Sequence, residues 1–252
     1  MENKNILTLE KNYITQFILR IDINPFQLQT EKYPNVIINH IMSKAFNRRE
    51  KQIINKINFR FNNEQEVSKT SEEVFNYILI NEQKNIKLTF SFDGAIIFHT
   101  TQYEDNSVYK DTIQLLLEAI KVNSLDIIAN RIGMRYINEF PCSNTKNISK
   151  FFNKTIATNI KNMLKEEKIS RAIAQEEYNN SYLKLKVQYG VPNKFYPAVI
   201  NNYDLLLDID SFDNTQNKPE QWEEVISELN NQAYNKFLNV INPKLIQSER
   251  TK

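Results

Sequence analysis

Glycine is nearly absent from this chain: there are three in 252 residues, Gly94, Gly133 and Gly190. Phosphate-cradling loops need several closely spaced glycines, because backbone must approach phosphate with no Cβ in the way. A Walker A loop and a dinucleotide fingerprint are therefore excluded, and the Gly-x-Ser-x-Gly nucleophile elbow goes with them. Histidine is equally scarce. His40 lies in the apolar run Val36-Ile37-Ile38-Asn39-His40-Ile41-Met42, and His99 in the strand-like run Ile96-Ile97-Phe98-His99-Thr100. Neither has the spacing of a zinc site, and each reads as a partly buried structural residue. A single cysteine, Cys142, allows no intrachain disulfide. No cofactor is expected, and no metal is assigned.

An excess of one charge is also missing. The 32 basic and 30 acidic side chains leave a net charge of +2, which gives no electrostatic mandate for nucleic acid. The densest basic cluster, Arg48-Arg49-Glu50-Lys51 with Lys56 and Arg60, reads as a solvated face. No apolar run approaches bilayer length, and Met1-Glu2-Asn3-Lys4-Asn5 is not the start of a signal peptide. The expected location is the cytoplasm. Abundant Lys, Asn and Ile, encoded by A/T-rich codons, point to a low-GC bacterium or its phage.

What is present suffices for a core: 41% of residues are hydrophobic and 11% aromatic. Residues 13–23 alternate with period two and read as a half-buried strand. Residues 35–46 read as a short amphipathic helix and 53–62 as a strand. Val74–Ile80 and Ile86–Phe92 read as strands, followed by the Asp93-Gly94 hairpin signal and a strand over Ala95–Gln102. A helix is expected over Ser107–Val122, a strand over Ile127–Asn138 and a helix over Ile148–Leu164. The last third gives strands at Ser170–Tyr178, Tyr182–Tyr189 and Tyr203–Asp210. A final helix begins at Pro219, carries Trp222, Ile226, Leu229, Ala233 and Phe237 on one face, and stops at Pro243.

Ile86–Ile120 and Tyr182–Phe237 each read as strand, turn, strand, helix. The expected fold class is therefore α+β, a mainly antiparallel sheet built from two related β-β-α modules with helices packed on one face. No Pro-, Gly- or Ser-rich linker divides the chain. The whole of 1–252 is expected to form one compact unit, with pseudo-duplicated halves 1–165 and 166–247 and a frayed tail at 248–252.

One stretch carries more information than the rest: Arg131-Ile132-Gly133-Met134-Arg135-Tyr136-Ile137-Asn138. As a strand it sets Ile132, Met134 and Tyr136 on one face and Arg131, Gly133, Arg135 and Ile137 on the other. Two guanidiniums beside a glycine gap could hold a phosphate or carboxylate. The simpler reading is that they pair with acidic residues on neighbouring strands, with the glycine accommodating packing. Both readings stay open, with Tyr103 and Asn138 grouped as neighbours of this face.

The stretch resembles the marker strand of a sporadically distributed family of uncharacterised bacterial proteins of about this length, Arg-Ile-Gly-Leu-Arg-Tyr-Ile-Asn-like in sequence. Met134 stands where that family has leucine. The passage Thr101-Gln102-Tyr103-Glu104-Asp105 before a helix, the strand Leu207-Asp208-Ile209-Asp210 and the segment Ala233-Tyr234-Asn235-Lys236-Phe237 are also similar to it. The resemblance implies a shared fold and no activity. Its sporadic distribution implies cargo of mobile elements, such as phage-defence or toxin–antitoxin loci.

Three other patterns could carry chemistry. Asp208 and Asp210 at i and i+2, with Asp213 beyond, could offer oxygens to a divalent cation. Glu82-Gln83-Lys84 has the form of a nuclease Glu-x-Lys, at a turn that suits it poorly. Tyr178, Tyr182 and Tyr189 near Lys184 and Lys186 come closest to an aromatic–basic nucleic-acid surface. The functional expectation is a non-enzymatic binding or scaffold protein. Its partner would be another protein, a second copy of itself or an anionic ligand. The alternative is a nucleic-acid-processing enzyme or nuclease accessory with a carboxylate metal site.

Overall fold

Alternation in the first apolar segment is what builds the centre of the molecule. Phe17, Leu19, Ile21 and Ile23 are buried, whereas Ile18, Arg20 and Asp22 between them are half-buried. They form β1 (Ile14–Ile23), in a computed structural model that describes residues 11–24, 32–62, 65–165 and 168–248. After α1 (Lys32–Ala45) come β2 (Arg48–Asn62), β3 (Gln65–Asn81), β4 (Ile86–Phe90), β5 (Ala95–Thr100) and α2 (Ser107–Val122). Then follow β6 (Ala129–Phe140), α3 (Ile148–Phe151), α4 (Lys154–Met163), β7 (Ala172–Asn180), β8 (Leu183–Val191), β9 (Leu205–Asp213), α5 (Trp222–Val240) and α6 (Pro243–Ser248).

The nine strands form one sheet in the order β2-β3-β4-β5-β1-β6-β9-β8-β7, and every neighbouring pair is antiparallel. The fold is α+β with an antiparallel sheet. The element order repeats. In the first run β1 pairs with β5, then β4 and β3 follow outward; in the second β6 pairs with β9, then β8 and β7 follow. Each run closes with a helix, α2 or α5. By element order the second run opens at β6. β2 has no counterpart in the second run and lies outside the repeat.

Helices cover one side of the sheet. The Tyr109 ring of α2 stacks on Phe17 of β1 at 5.2 Å, and Asn230 of α5 accepts a 2.7 Å hydrogen bond from the Tyr136 hydroxyl of β6. The buried cluster is continuous across both runs, from Phe17 and Leu88 to Val187 and Trp222. Burying such side chains removes about 1.5–3 kcal/mol worth of apolar exposure each, which is why period-two residues on the other side can remain polar.

Five expected elements differ most in extent. The helix expected over Ile148–Leu164 is broken: Phe152 turns extended and bridges to Ile241, and Asn153 restarts the helix by accepting a 2.9 Å bond from the Ile156 N–H. Pro243 does not end order but opens α6, as its fixed φ allows; residues 249–252 of the expected frayed tail lie outside those described. β9 continues to Asp213. β2 starts five residues before the expected Ile53, so the Arg48–Lys51 cluster belongs to a strand, and β3 takes in the polar run 65–73. β3 pairs with β4 only over Tyr77–Asn81. Beyond that point β2 and β3 continue as a two-stranded ribbon.

Candidate functional site

The open side of the sheet carries the charged residues. β1 supplies Arg20 and Asp22, β6 supplies Arg131, Gly133 and Arg135, and β9 supplies Asp208, Asp210 and Phe212. Register aligns them: Asp22 lies opposite Arg131, Arg20 opposite Gly133, Arg135 opposite Asp210, and Gly133 opposite Phe212. The face is therefore a lattice of three arginines and three aspartates across three central strands.

The two marker arginines behave differently. Arg135 grips Asp208 with two parallel bonds, Nε to Oδ1 at 2.9 Å and Nη2 to Oδ2 at 2.6 Å. Asp208 is only 4% exposed, so this is a bidentate pair with its carboxylate end out of water. The bonds to Asp208 raise the Arg135 pKa, against desolvation. Arg131 makes no side-chain hydrogen bond among the described residues. Its Nη1 stands 3.9 Å from Asp22 Oδ2 and its Nη2 3.7 Å from Asp210 Oδ2, beyond hydrogen-bond reach. Asp22 is instead held by Arg20, Nε to Oδ1 at 2.6 Å.

Gly133 explains where Arg131 lies. A Cβ on Gly133 would stand 3.0–3.1 Å from the terminal nitrogens and Cζ of the Arg131 guanidinium. The guanidinium thus occupies the space a side chain would fill, with its Cζ 4.8 Å from the Phe212 ring centroid. It is held by shape and charge, with its N–H donors unspent among the described residues and a side-chain exposure of 27%. Burial pushes the Asp210 carboxyl up from the usual aspartate range. Arg131, Arg135 and Lys186 pull the other way, and the Asp208 charge adds to the rise.

Tyr103 and Asn138 do not join this face. Asn138 shares parity with Tyr136, so it points to the helix side, where it is 2% exposed and donates to the Leu207 carbonyl at 3.1 Å. Tyr103 sits in the aromatic cluster on that side, 4.8 Å from the Phe17 ring and edge-on to Tyr136 at 5.5 Å. Its hydroxyl donates to Asn106 Oδ1 at 2.7 Å, and burial raises its pKa to about 12. Asn106 and Asn230 line a cleft of about 270 Å³ between α2 and α5, together with Lys110, Gln114, Glu223 and Ser227.

The aspartates do not converge on a cation. Both Asp208 oxygens are engaged by Arg135. Asp213 is on the helix side, where it builds the turn after β9 by accepting bonds from Thr215 and Asn217. Among the described residues no group of three or more His, Cys, Asp or Glu is placed to hold a metal. Glu82 is an exposed partner of Arg48 at the β3–β4 turn. The tyrosines near Lys184 and Lys186 do not gather beside those lysines: Tyr178 and Tyr189 both donate to Glu176. Tyr189 is buried, Tyr178 binds Lys236, and Tyr182 donates to Glu228 at 2.7 Å. Tyr178 is registered with Leu185, on the side opposite to Lys184 and Lys186.

The sequence points to the arginines, the glycine, Asp208 and Asp210, and sets Arg20 and Asp22 on the polar face of their strand, but does not join these two or Phe212 to the marker arginines. Their signal was the alternation of β1 and β9, which set them on the polar face. No protein-family model, curated protein or solved structure matches this chain. No helix among the described residues is long and apolar enough to cross a membrane.

Proposed function

We propose that this chain is a bacterial cytoplasmic binding protein that holds a protein partner on the open face of its sheet, with Arg131 taking a carboxylate of that partner. The observation that carries this reading is the contrast between the arginines: Arg135 is spent on Asp208, while Arg131 is fixed over Gly133 with no side-chain hydrogen bond among the described residues. A pre-positioned guanidinium binds a carboxylate with little further ordering. The face interleaves three arginines with three aspartates, so a polypeptide offering both charge signs fits it better than a uniform polyanion such as nucleic acid. The resemblance at residues 131–138 supports a setting in a mobile-element or phage-defence locus.

The test is capture from source-cell lysate on immobilised wild-type and Arg131→Ala protein, with nuclease treatment of both. A protein retained by wild type and lost from Arg131→Ala, with unfolding unchanged, is the expected result. Equal retention by both baits, or a bound species removed by nuclease, overturns the reading.

A further inference from the structure

β2 and β3 run on past the sheet. The last β3–β4 pair is Tyr77 with Phe90, and Tyr77 lies opposite Lys51 of β2. Pairing then continues to Asn62 opposite Gln65. That is a two-stranded ribbon of about 35 Å at ordinary strand rise. A free two-stranded ribbon is marginally stable in water. This one also exposes apolar side chains, with Ile53 61% and Ile57 47% exposed on the same strand face. β2 is the edge strand of the whole sheet, so alternate N–H and C=O groups along 15 residues face outward.

Edge strands are usually guarded by lysine and arginine. Here those guards are turned onto their own ribbon. Lys51 Nζ lies 3.6 Å from the Phe75 ring centroid, and the Arg49 guanidinium 4.8 Å from that of Tyr77. Arg48 bridges Glu50 at 2.8 Å and also Glu82, so Arg48 keeps a carboxylate if Glu50 is drawn elsewhere. Glu50 and Lys56 remain as the charged pair spaced along the even-numbered face.

We propose that β2 is a two-fold homodimer interface, in which the ribbons of two copies pair edge to edge and antiparallel. A two-fold axis through Ile53 sets Glu50 of each copy opposite Lys56 of the other, Lys51 opposite Asn55, Gln52 opposite Ile54, and Ile53 opposite itself. The attractive pair occurs twice and the most exposed isoleucine sits on the axis. Moving the axis to Gln52 would place Arg48 against Lys56. Moving it to Lys51 would place that lysine against itself, and moving it to Ile54 would lose the charge pair. Moving it to Asn55 would exchange Lys56 for Arg60 opposite Glu50 and take Ile53 off the axis, so Lys56→Glu separates that register from this one. The edge is self-complementary about its own centre, which selects a second copy of this chain over an unrelated strand.

The experiment is sedimentation equilibrium of the full chain over a wide concentration range. Wild type is expected to be dimeric, and Ile53→Asp monomeric. Glu50→Lys and Lys56→Glu alone should each weaken the dimer by about tenfold or more, since each replaces two attractions with two repulsions. The double variant Glu50→Lys/Lys56→Glu should restore it. The ribbon lies outside the core, so thermal unfolding monitored on each variant confirms that the sheet is intact. A wild-type monomer at all concentrations overturns the proposal. So does a dimer indifferent to Ile53→Asp, or a double variant no tighter than the singles.

Discussion

The two runs of the sheet match strand for strand as far as β3 and β7, and then diverge. The second run ends at β7, a nine-residue edge with α4 packed against it. The first run adds β2 and carries the ribbon past the last core residue. The open face is uneven in the same way. Beside the central strands, the second run offers Asp208, Asp210 and Phe212, whereas the first offers Ile97 and His99 of β5. His99 is held below the usual histidine range by burial and by Lys87. The two runs thus differ at two places, the β2 edge and the arginine lattice, and neither is needed to close the core. Features that a fold repeats are its packing; features that it does not repeat are where contacts with other molecules are to be sought.

The two strand glycines break this comparison most sharply. Gly190 has φ +142°, and a Cβ there would stand 2.0 Å from the Ala172 carbonyl oxygen of the neighbouring strand. Gly190→Ala must therefore shift backbone, at a cost of about 3 kcal/mol, or about 6–12 °C in melting temperature for a chain of this size. Gly133→Ala meets only the far end of Arg131. The guanidinium can swing away, so stability should fall by less than about 1 kcal/mol, while capture of the partner is lost. Chemical denaturation with the capture assay reads both. Equal destabilisation would place Gly133 with the packing glycines.

A smaller effect concerns Asp210. Its carboxyl has a folded pKa above the unfolded one, so the protonated form is favoured on folding. That contribution is complete below the unfolded value and is lost as pH rises through the folded value. Asp210→Asn removes this titration. Unfolding free energy measured from acid to neutral pH should fall less with pH in the variant, which should be at least as stable as wild type at neutrality. A variant that is less stable at pH 7 and parallel to wild type would show that the Arg131 contact outweighs burial.

Strand parity made much of this legible. The alternation in β1, β6 and β9 identified which side of the sheet Arg131, Gly133 and Arg135 would share, and the same parity places Asn138 on the other side. Tyr103 was grouped with the arginines by proximity to a marker, not by periodicity, and its side chain belongs to the aromatic core. The pairing of Arg135 with Asp208 was not legible, because it depends on the register of strands 73 residues apart. The break at Asn153 is not legible in the sequence, because Phe152 is apolar at helical spacing and it is the bridge to Ile241 that holds it extended. The β3 half of the ribbon was illegible for a different reason. Lys69 to Glu73 is polar and exposed, so it lacks the apolar alternation that marks a strand.

Thermal unfolding of Arg131→Gln and Arg135→Gln side by side tests most directly whether the two marker arginines have separate roles. Removing Arg135 strands a nearly buried carboxylate, which should cost about 2 kcal/mol, or about 4–8 °C. Removing Arg131 breaks no hydrogen bond within the described chain and should leave the transition within about 2 °C. Equal losses, or a larger loss at Arg131, would contradict the account and make both arginines part of the scaffold.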